Sequence, residues 1–347
     1  MKSLLATLTL AITLITTSAN AGIFDKKKND PTAVDPDAVL TVADFVKTSG
    51  KGKLAGVTRV AIPNFFVQFV RDQTIERKGR LGSDSYTTQV RGIETATLQQ
   101  IADALYDGFV AELQAVGIEV VPVETLEANA NFSELRKVAR VSPYTEESAT
   151  GGSKGDNNHQ GVSVLVSAKN LPINIRNTID DYWLKPNVSD GFKVSLVTTP
   201  MKVSQALNVP LLDVRLTVAM ATLKGRVSNS GSSYSVTPQT TSFSFDADLY
   251  PRFVDGGNLV ALSNSEGGTI YSLTQPVIIK DLSFALEKGK GTGSRGAGLL
   301  GAIGRAAGGS AKMDADAYID LQAEDFSNKM TARGKEVAHL FVEAMIK

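Results

Sequence analysis

The run from Val57 to Val121 constrains the fold more than any other part of this chain. Val60, Ile62, Phe65, Phe66, Val67, Phe69 and Val70 crowd into one short stretch. β-Branched and aromatic residues at that density predict a buried strand, and Pro63 marks a bend or bulge within it. Further on, Leu98, Ile101, Leu105, Phe109, Leu113 and Val116 recur at three- and four-residue steps and form one apolar stripe. That spacing predicts an amphipathic helix. Gly117 stands where a left-handed C-terminal cap belongs, and Ile118–Val121 follows as a second strand. Strand, helix, strand in this order predicts a βαβ crossover, with two parallel strands and the helix packed on one face. Between them, Arg71–Arg91 is polar, mixed in charge and broken by Gly79 and Gly82. It is expected as a long loop or an exposed hairpin. Residues 123–141 are expected as one or two shorter helices, broken at Asn129–Asn131.

Past Pro143 the pattern changes. Residues 142–161 hold Gly151, Gly152, Gly155 and Asn157-Asn158 and are expected as loop. Strand signals follow at 162–167 and 192–197. In Leu212–Leu223, Val214, Leu216, Val218 and Met220 alternate with Arg215, Thr217, Ala219 and Ala221. Thr241–Leu249 alternates likewise, with Phe243, Phe245 and Ala247 against Ser244, Asp246 and Asp248. The two predict a long antiparallel hairpin turning at 228–233. Shorter strands are expected near Leu259, at 269–273 and at 277–279. A glycine-rich stretch spans 289–309. An amphipathic helix closes the chain from about Asp325, burying Phe326, Met330, Val337, Leu340, Phe341, Ala344 and Met345. The expected fold class is α/β: a mixed sheet with a βαβ core, a long antiparallel hairpin and a C-terminal amphipathic helix.

The N-terminus carries the three parts of an export signal. Lys2 supplies the positive charge, Leu4–Thr17 is apolar and uncharged, and Ala19-Asn20-Ala21 gives a small-x-small cleavage pattern. The expected layout is a signal peptide at 1–21, a flexible leader at 22–52 with room for a short helix around Val39–Val46, and one α/β domain at 53–347 with its glycine-rich loop at 289–309. Removing the signal takes away one lysine and no acid, leaving 35 basic against 36 acidic side chains, a net charge of −1. Such a chain has no bulk electrostatic pull toward nucleic acid. It contains no cysteine, so disulfides, thiolate zinc sites, a thiol nucleophile and a lipidated N-terminal cysteine are all excluded. A hydrophobic content of 42% lets a core replace them.

One combination suggests a family. Val60-Ala61-Ile62-Pro63-Asn64-Phe65 is an apolar strand ending in an Asn-Phe pair. The helix over 98–116 follows, then Gly117-Ile118-Glu119-Val120-Val121, then Glu124-Thr125-Leu126. Over about residues 57–136 this resembles the βαβ core of the curli secretion channel family and, more distantly, the N-terminal domain of the TolB translocation protein. The resemblance implies a bacterial envelope protein that works in assembly or secretion. That channel family is lipid-anchored through a cysteine, which this chain lacks. It also inserts hairpins into the outer membrane, and such strands need about 9–11 alternating residues.

Motifs of catalysis and metal binding are sparse. Gly289–Gly296 departs from the phosphate-loop spacing. The apolar continuation Gly298–Gly304 is expected as a mobile loop, with a membrane or partner contact as the alternative. His159 and His339 are the only histidines, too few for a multi-histidine metal site. Asp246 with Asp248, and Asp314 with Asp316 and Asp320, put carboxylates at period two on strands, without a calcium-loop spacing. Asp180-Asp181-Tyr182-Trp183 sets two carboxylates beside the only tryptophan, an arrangement open to glycan chemistry. Arg71, Arg77, Lys78, Arg80 and Arg91 face Asp72, Glu76 and Asp84 in the polar stretch, an excess suited to a solvated loop.

The expectation is therefore an exported, non-catalytic envelope protein, periplasmic or extracellular, with no catalytic, cofactor or metal residues. It would bind an envelope protein partner or a second copy of itself, with no nucleic acid. Two other readings stay open: a glycan hydrolase using carboxylates such as Asp180 and Asp181, and a membrane channel subunit inserting the 212–249 hairpin.

Overall fold

The computed structural model describes residues 39–79, 82–151, 157–174, 194–220, 222–230, 240–248, 252–253, 259–264, 267–279, 281–288 and 311–347. The expected signal peptide, the leader up to residue 38, Asp180–Trp183 and the 289–309 stretch lie outside them. Among the described residues no helix is long and apolar enough to cross a membrane.

The predicted first strand is the spine of the fold. It is β2 (Arg59–Gly79), 21 residues long, and its register against a parallel neighbour shifts between Ala61 and Asn64, around Pro63. Phe65, Val67 and Phe69 point into the main core. There the ring of Phe65 meets Tyr106 and Phe109 of α2 (Thr95–Ala115) edge-on, at 5.4 and 6.1 Å between centroids. Burial, with Asp107 and Glu124 nearby, pushes the Tyr106 hydroxyl up to about 12. Gly117 has φ +83° and turns the chain into β4 (Glu119–Val120), which pairs in parallel with Arg59 and Val60. The βαβ crossover is present. Asn129 then caps α4 (Ala130–Val138), its side chain accepting from the Asn131 and Phe132 amides, and so separates it from α3 (Val123–Glu127).

The polar stretch after Val70 is a hairpin rather than a loop. The second half of β2 pairs with β3 (Gly82–Arg91), from Asp72↔Gln89 to Gly79↔Gly82. Residues 142–161, expected as loop, instead supply β5 (Tyr144–Gly151) and the start of β6 (Asn157–Ser167). Ladder pairing to the extended β2, down to Arg77↔Asn157, gives these polar residues a strand conformation that hydrophobicity alone does not predict.

Three other expectations change. Residues 192–197 were expected as strand, but α5 (Val194–Leu207) begins there, with Pro200 inside it and Val203 buried. Its β-branched start favours strand locally, and packing against α4 overrides that preference. The leader holds the short helix expected around Val39–Val46, but the residues after it are a paired strand rather than flexible chain. Thr41 caps the single turn α1 (Val42–Phe45), Phe45 is buried in the core, and β1 (Val46–Ser49) pairs with β12 (Gly267–Leu273). The long hairpin also has a different first arm. Residues 211–219 form β7, buried at every position, parallel to β2 and antiparallel to β11 (Leu259–Asn264). The hairpin itself is β8 (Thr222–Ser230) with β9 (Thr240–Asp248), a separate two-stranded sheet.

Among the described residues the main sheet has 13 strands, with the path β1-β12-β11-β7-β2-β3-β15-β14 and β4, β5, β6, β10 and β13 branching from it. Here β10 is Arg252–Phe253, β13 Val277–Ile278, β14 Phe284–Lys288 and β15 Ala311–Leu321. The last helix, α6 (Ala323–Ile346), packs on α2 and buries all seven residues predicted for its inner face.

A buried polar face and the strap that crosses it

The face of the sheet turned away from Phe65 and α2 is also buried, but it is polar. On β7, Val214, Leu216 and Val218 belong to the main core. Asp213, Arg215 and Thr217 alternate to the opposite side and are equally buried. Register sets them beside Asn64, Phe66 and Gln68 of β2. Phe66 in turn lies opposite Ser167 of β6, Val70 opposite Ser163, and Ser163 opposite Glu146 of β5. Past the bulge between Val70 and Asp72, Gln73 pairs with Thr88 and both are buried.

A polar layer taken out of water must be held by hydrogen bonds. Gln68 Oε1 accepts from Arg215 Nη2 at 2.6 Å, a charge-assisted bond between buried partners. The Arg215 guanidinium also lies over the Phe66 ring, 5.8 Å from its centroid. Asn174 Nδ2 and Oδ1, Ser163 Oγ and Ser167 Oγ have no hydrogen-bond partner among the described residues. Beside the bulge, burial raises the Asp72 carboxyl above its ordinary value, with Arg71 pulling the other way.

An extended strap, Leu171–Asn174, crosses this face. Arg140 takes it from one edge: the Arg140 amide donates to the Ile173 carbonyl at 3.0 Å, and the Ile173 amide donates to the Arg140 carbonyl at 3.1 Å. Asn64 takes the other edge. Its Nδ2 donates to the Asn174 carbonyl at 3.2 Å, and the Asn174 amide donates to Asn64 Oδ1 at 3.0 Å. One side-chain amide thus stands in for a neighbouring strand. Between the two grips the Ile173 side chain joins Phe66, Leu165 and the half-buried Tyr144 in an apolar island separate from the main core. Arg140 closes its rim, 4.1 Å over the Tyr144 ring.

The sequence-derived candidates are scattered. His159 lies on β6, and His339 on α6 binds Glu112 of α2 through Nδ1 at 2.8 Å on the surface. Asp246 and Asp248 sit on β9 opposite Lys224 and Thr222. Asp314, Asp316 and Asp320 sit on β15 opposite Ser85, Thr87 and Arg91. Arg91 pairs with Glu287 at 3.3 Å and covers the Tyr318 ring. Among the described residues no three His, Cys, Asp or Glu side chains gather as metal ligands. Sequence reasoning missed Gln68, Arg215 and the Asn174 contact. The available signal was two amides, Asn64 and Gln68, set into the otherwise apolar run Val60–Val70.

Comparison of the chain with protein-family models, with curated proteins and with solved structures finds no match.

Proposed function

We propose that this is an exported, non-catalytic envelope protein that binds a protein partner in assembly or secretion. One observation carries the reading. The best-built polar site holds an extended segment through four main-chain hydrogen bonds and one apolar pocket, which is the chemistry of peptide recognition. The N-terminal export pattern and the curli-channel resemblance of residues 57–136 point to the envelope as the place. The test is a photoreactive residue at Val141, which is 81% exposed beside Arg140, in the protein expressed with its own leader in a bacterial envelope. A discrete adduct with one other protein is expected. Adducts within the chain alone overturn the reading. Substituting Asp180 and Asp181 by asparagine is expected to leave that adduct unchanged, whereas a glycan hydrolase would lose its activity.

A channel subunit is the second reading, favoured by the hairpin. β8 and β9 are nine residues each, near the length of a membrane-crossing strand. Register places Leu223, Gly225 and Val227 on the same face as Ala247, Phe245 and Phe243. Light scattering on residues 22–347, in buffer and in detergent, separates the readings. A ring-sized mass in detergent supports a channel, and a monomer in both removes it.

A further inference from the structure

We propose that the seat occupied by the strap is a docking site for an extended segment of the partner, and that Ile173 and Asn174 are an exchangeable occupant held there in cis, with Leu171 anchored in the main core. This rests on the partner-binding reading and names the chemistry of the partner.

The strap itself defines what the seat accepts. In an extended chain, consecutive residues turn their amide and carbonyl groups to opposite edges. The seat uses both edges: Arg140 takes the two groups of Ile173, and the Asn64 side chain takes the two groups of Asn174. Main-chain bonds of this kind recognise any extended peptide, so selectivity falls to the side chain between them. That side chain enters the island of Phe66, Leu165 and Tyr144, which suits an aliphatic residue of isoleucine size.

Exchange requires that the strap open without unfolding the protein. The island is a cluster of its own, outside the main core formed by the opposite face, α2 and α6. Releasing Ile173 and Asn174 while Leu171 stays in the main core therefore removes one small contact set. The surface left behind is already polar and hydrogen-bonding, through Gln68, Arg215 and Asn64, and is suited to a second peptide or to water.

The test uses the strap's own sequence in trans. A labelled nonapeptide of residues 168–176 (Ala-Lys-Asn-Leu-Pro-Ile-Asn-Ile-Arg) is titrated into the chain 22–347, and binding is read by fluorescence anisotropy. In the wild type the cis strap competes, so binding is weak. Ile173→Asp in the protein loosens the strap and is expected to tighten peptide binding at least tenfold. Ile173→Ala, which keeps an apolar residue, makes the same comparison if the aspartate variant fails to fold. Asn64→Ala combined with the loosened strap is expected to lose at least tenfold, and so is the Ile173→Asp peptide on any chain. Hydrogen exchange of the Ile173 and Asn174 amides in the wild type is expected to outpace that of β2. A folded, loosened chain whose peptide affinity equals wild type overturns the proposal, as do Ile173 and Asn174 amides that exchange only as slowly as the core. An adduct from Val141 alongside either result leaves the partner-binding reading standing and removes only this site.

Discussion

Replacing Gly92 by alanine tests the least sequence-evident pairing in the fold, the parallel ladder of β3 with β15. Gly92 follows β3 at φ +84°, and a Cβ built there lies 2.4 Å from the Leu321 carbonyl oxygen. Ordinary contact begins near 3.4 Å, so an ångström of separation is missing, and the obstacle is backbone that no rotamer change can move. Gly117 is the internal control, since it has nearly the same φ, +83°, and nothing within 4 Å of its Cβ. The left-handed backbone costs an alanine roughly 1–2 kcal/mol. Reduced freedom of the unfolded chain returns about 0.4–1 kcal/mol of that. Gly117→Ala should therefore destabilise by about 1 kcal/mol. Gly92→Ala carries the same term plus overpacking of about 1–3 kcal/mol, as β3 and β15 are forced apart at their Asp320↔Arg91 end. Urea unfolding of residues 22–347 reads both. A Gly92→Ala variant within about 0.5 kcal/mol of Gly117→Ala would mean that the Leu321 carbonyl is not where the ladder puts it, and the reasoning fails.

Other expectations follow from single contacts. Gln68→Leu takes the 2.6 Å acceptor from buried Arg215 and should cost about 1.5–3 kcal/mol in denaturant unfolding; a loss under about 0.5 kcal/mol would remove the charge-assisted bond from the account. Asp325 accepts from the Ser283 amide and pairs with Lys329, which holds its carboxyl below the ordinary 3.8. Its contribution is complete above 3.8 and is lost as pH falls through the lowered value, so Asp325→Asn should lower the melting temperature at neutral pH and flatten the acid limb. Asp72 has the opposite sign. Its raised carboxyl makes stability fall as pH rises from 3.8 through the folded value, so Asp72→Asn should stabilise the protein above that window, with an unchanged melting curve as the contrary result.

The parts of the fold that were legible in the sequence are those whose signal is local. The α6 stripe, the Gly117 cap, the break at Asn129 and the bulge at Pro63 each depend on residues within a few positions of one another. Long-range pairing was not legible. β5 and the start of β6 are polar and rich in glycine and asparagine, and they are strands because β2 runs past the core and offers them a ladder. β7 was mistaken for a hairpin arm because its alternation is ambiguous. Val214 against Arg215 and Leu216 against Thr217 is the pattern of a sheet with one wet face. It is equally the pattern of a sheet whose second face is polar and covered. Only the tertiary structure distinguishes them, and the polar face beside Asn64 is therefore not legible in the sequence.

A covered polar face is a costly way to build a core, and that cost separates structural residues from functional ones. Where a buried hydroxyl has a partner, its removal destabilises; where it has none, the folded state has already lost its hydration and gains nothing in return. Ser163 Oγ and Ser167 Oγ are of the second kind among the described residues. Ser163→Ala and Ser167→Ala should therefore be neutral or stabilising by up to about 1 kcal/mol, in contrast to the loss at Gln68. If either serine costs more than about 1 kcal/mol, its hydroxyl is satisfied by bound water and the face is a hydrated structural layer. If both are neutral or better, the layer keeps hydroxyls that folding does not require. Either outcome assigns the two hydroxyls, in contrast to Gln68, whose loss strips a charge-assisted bond from Arg215.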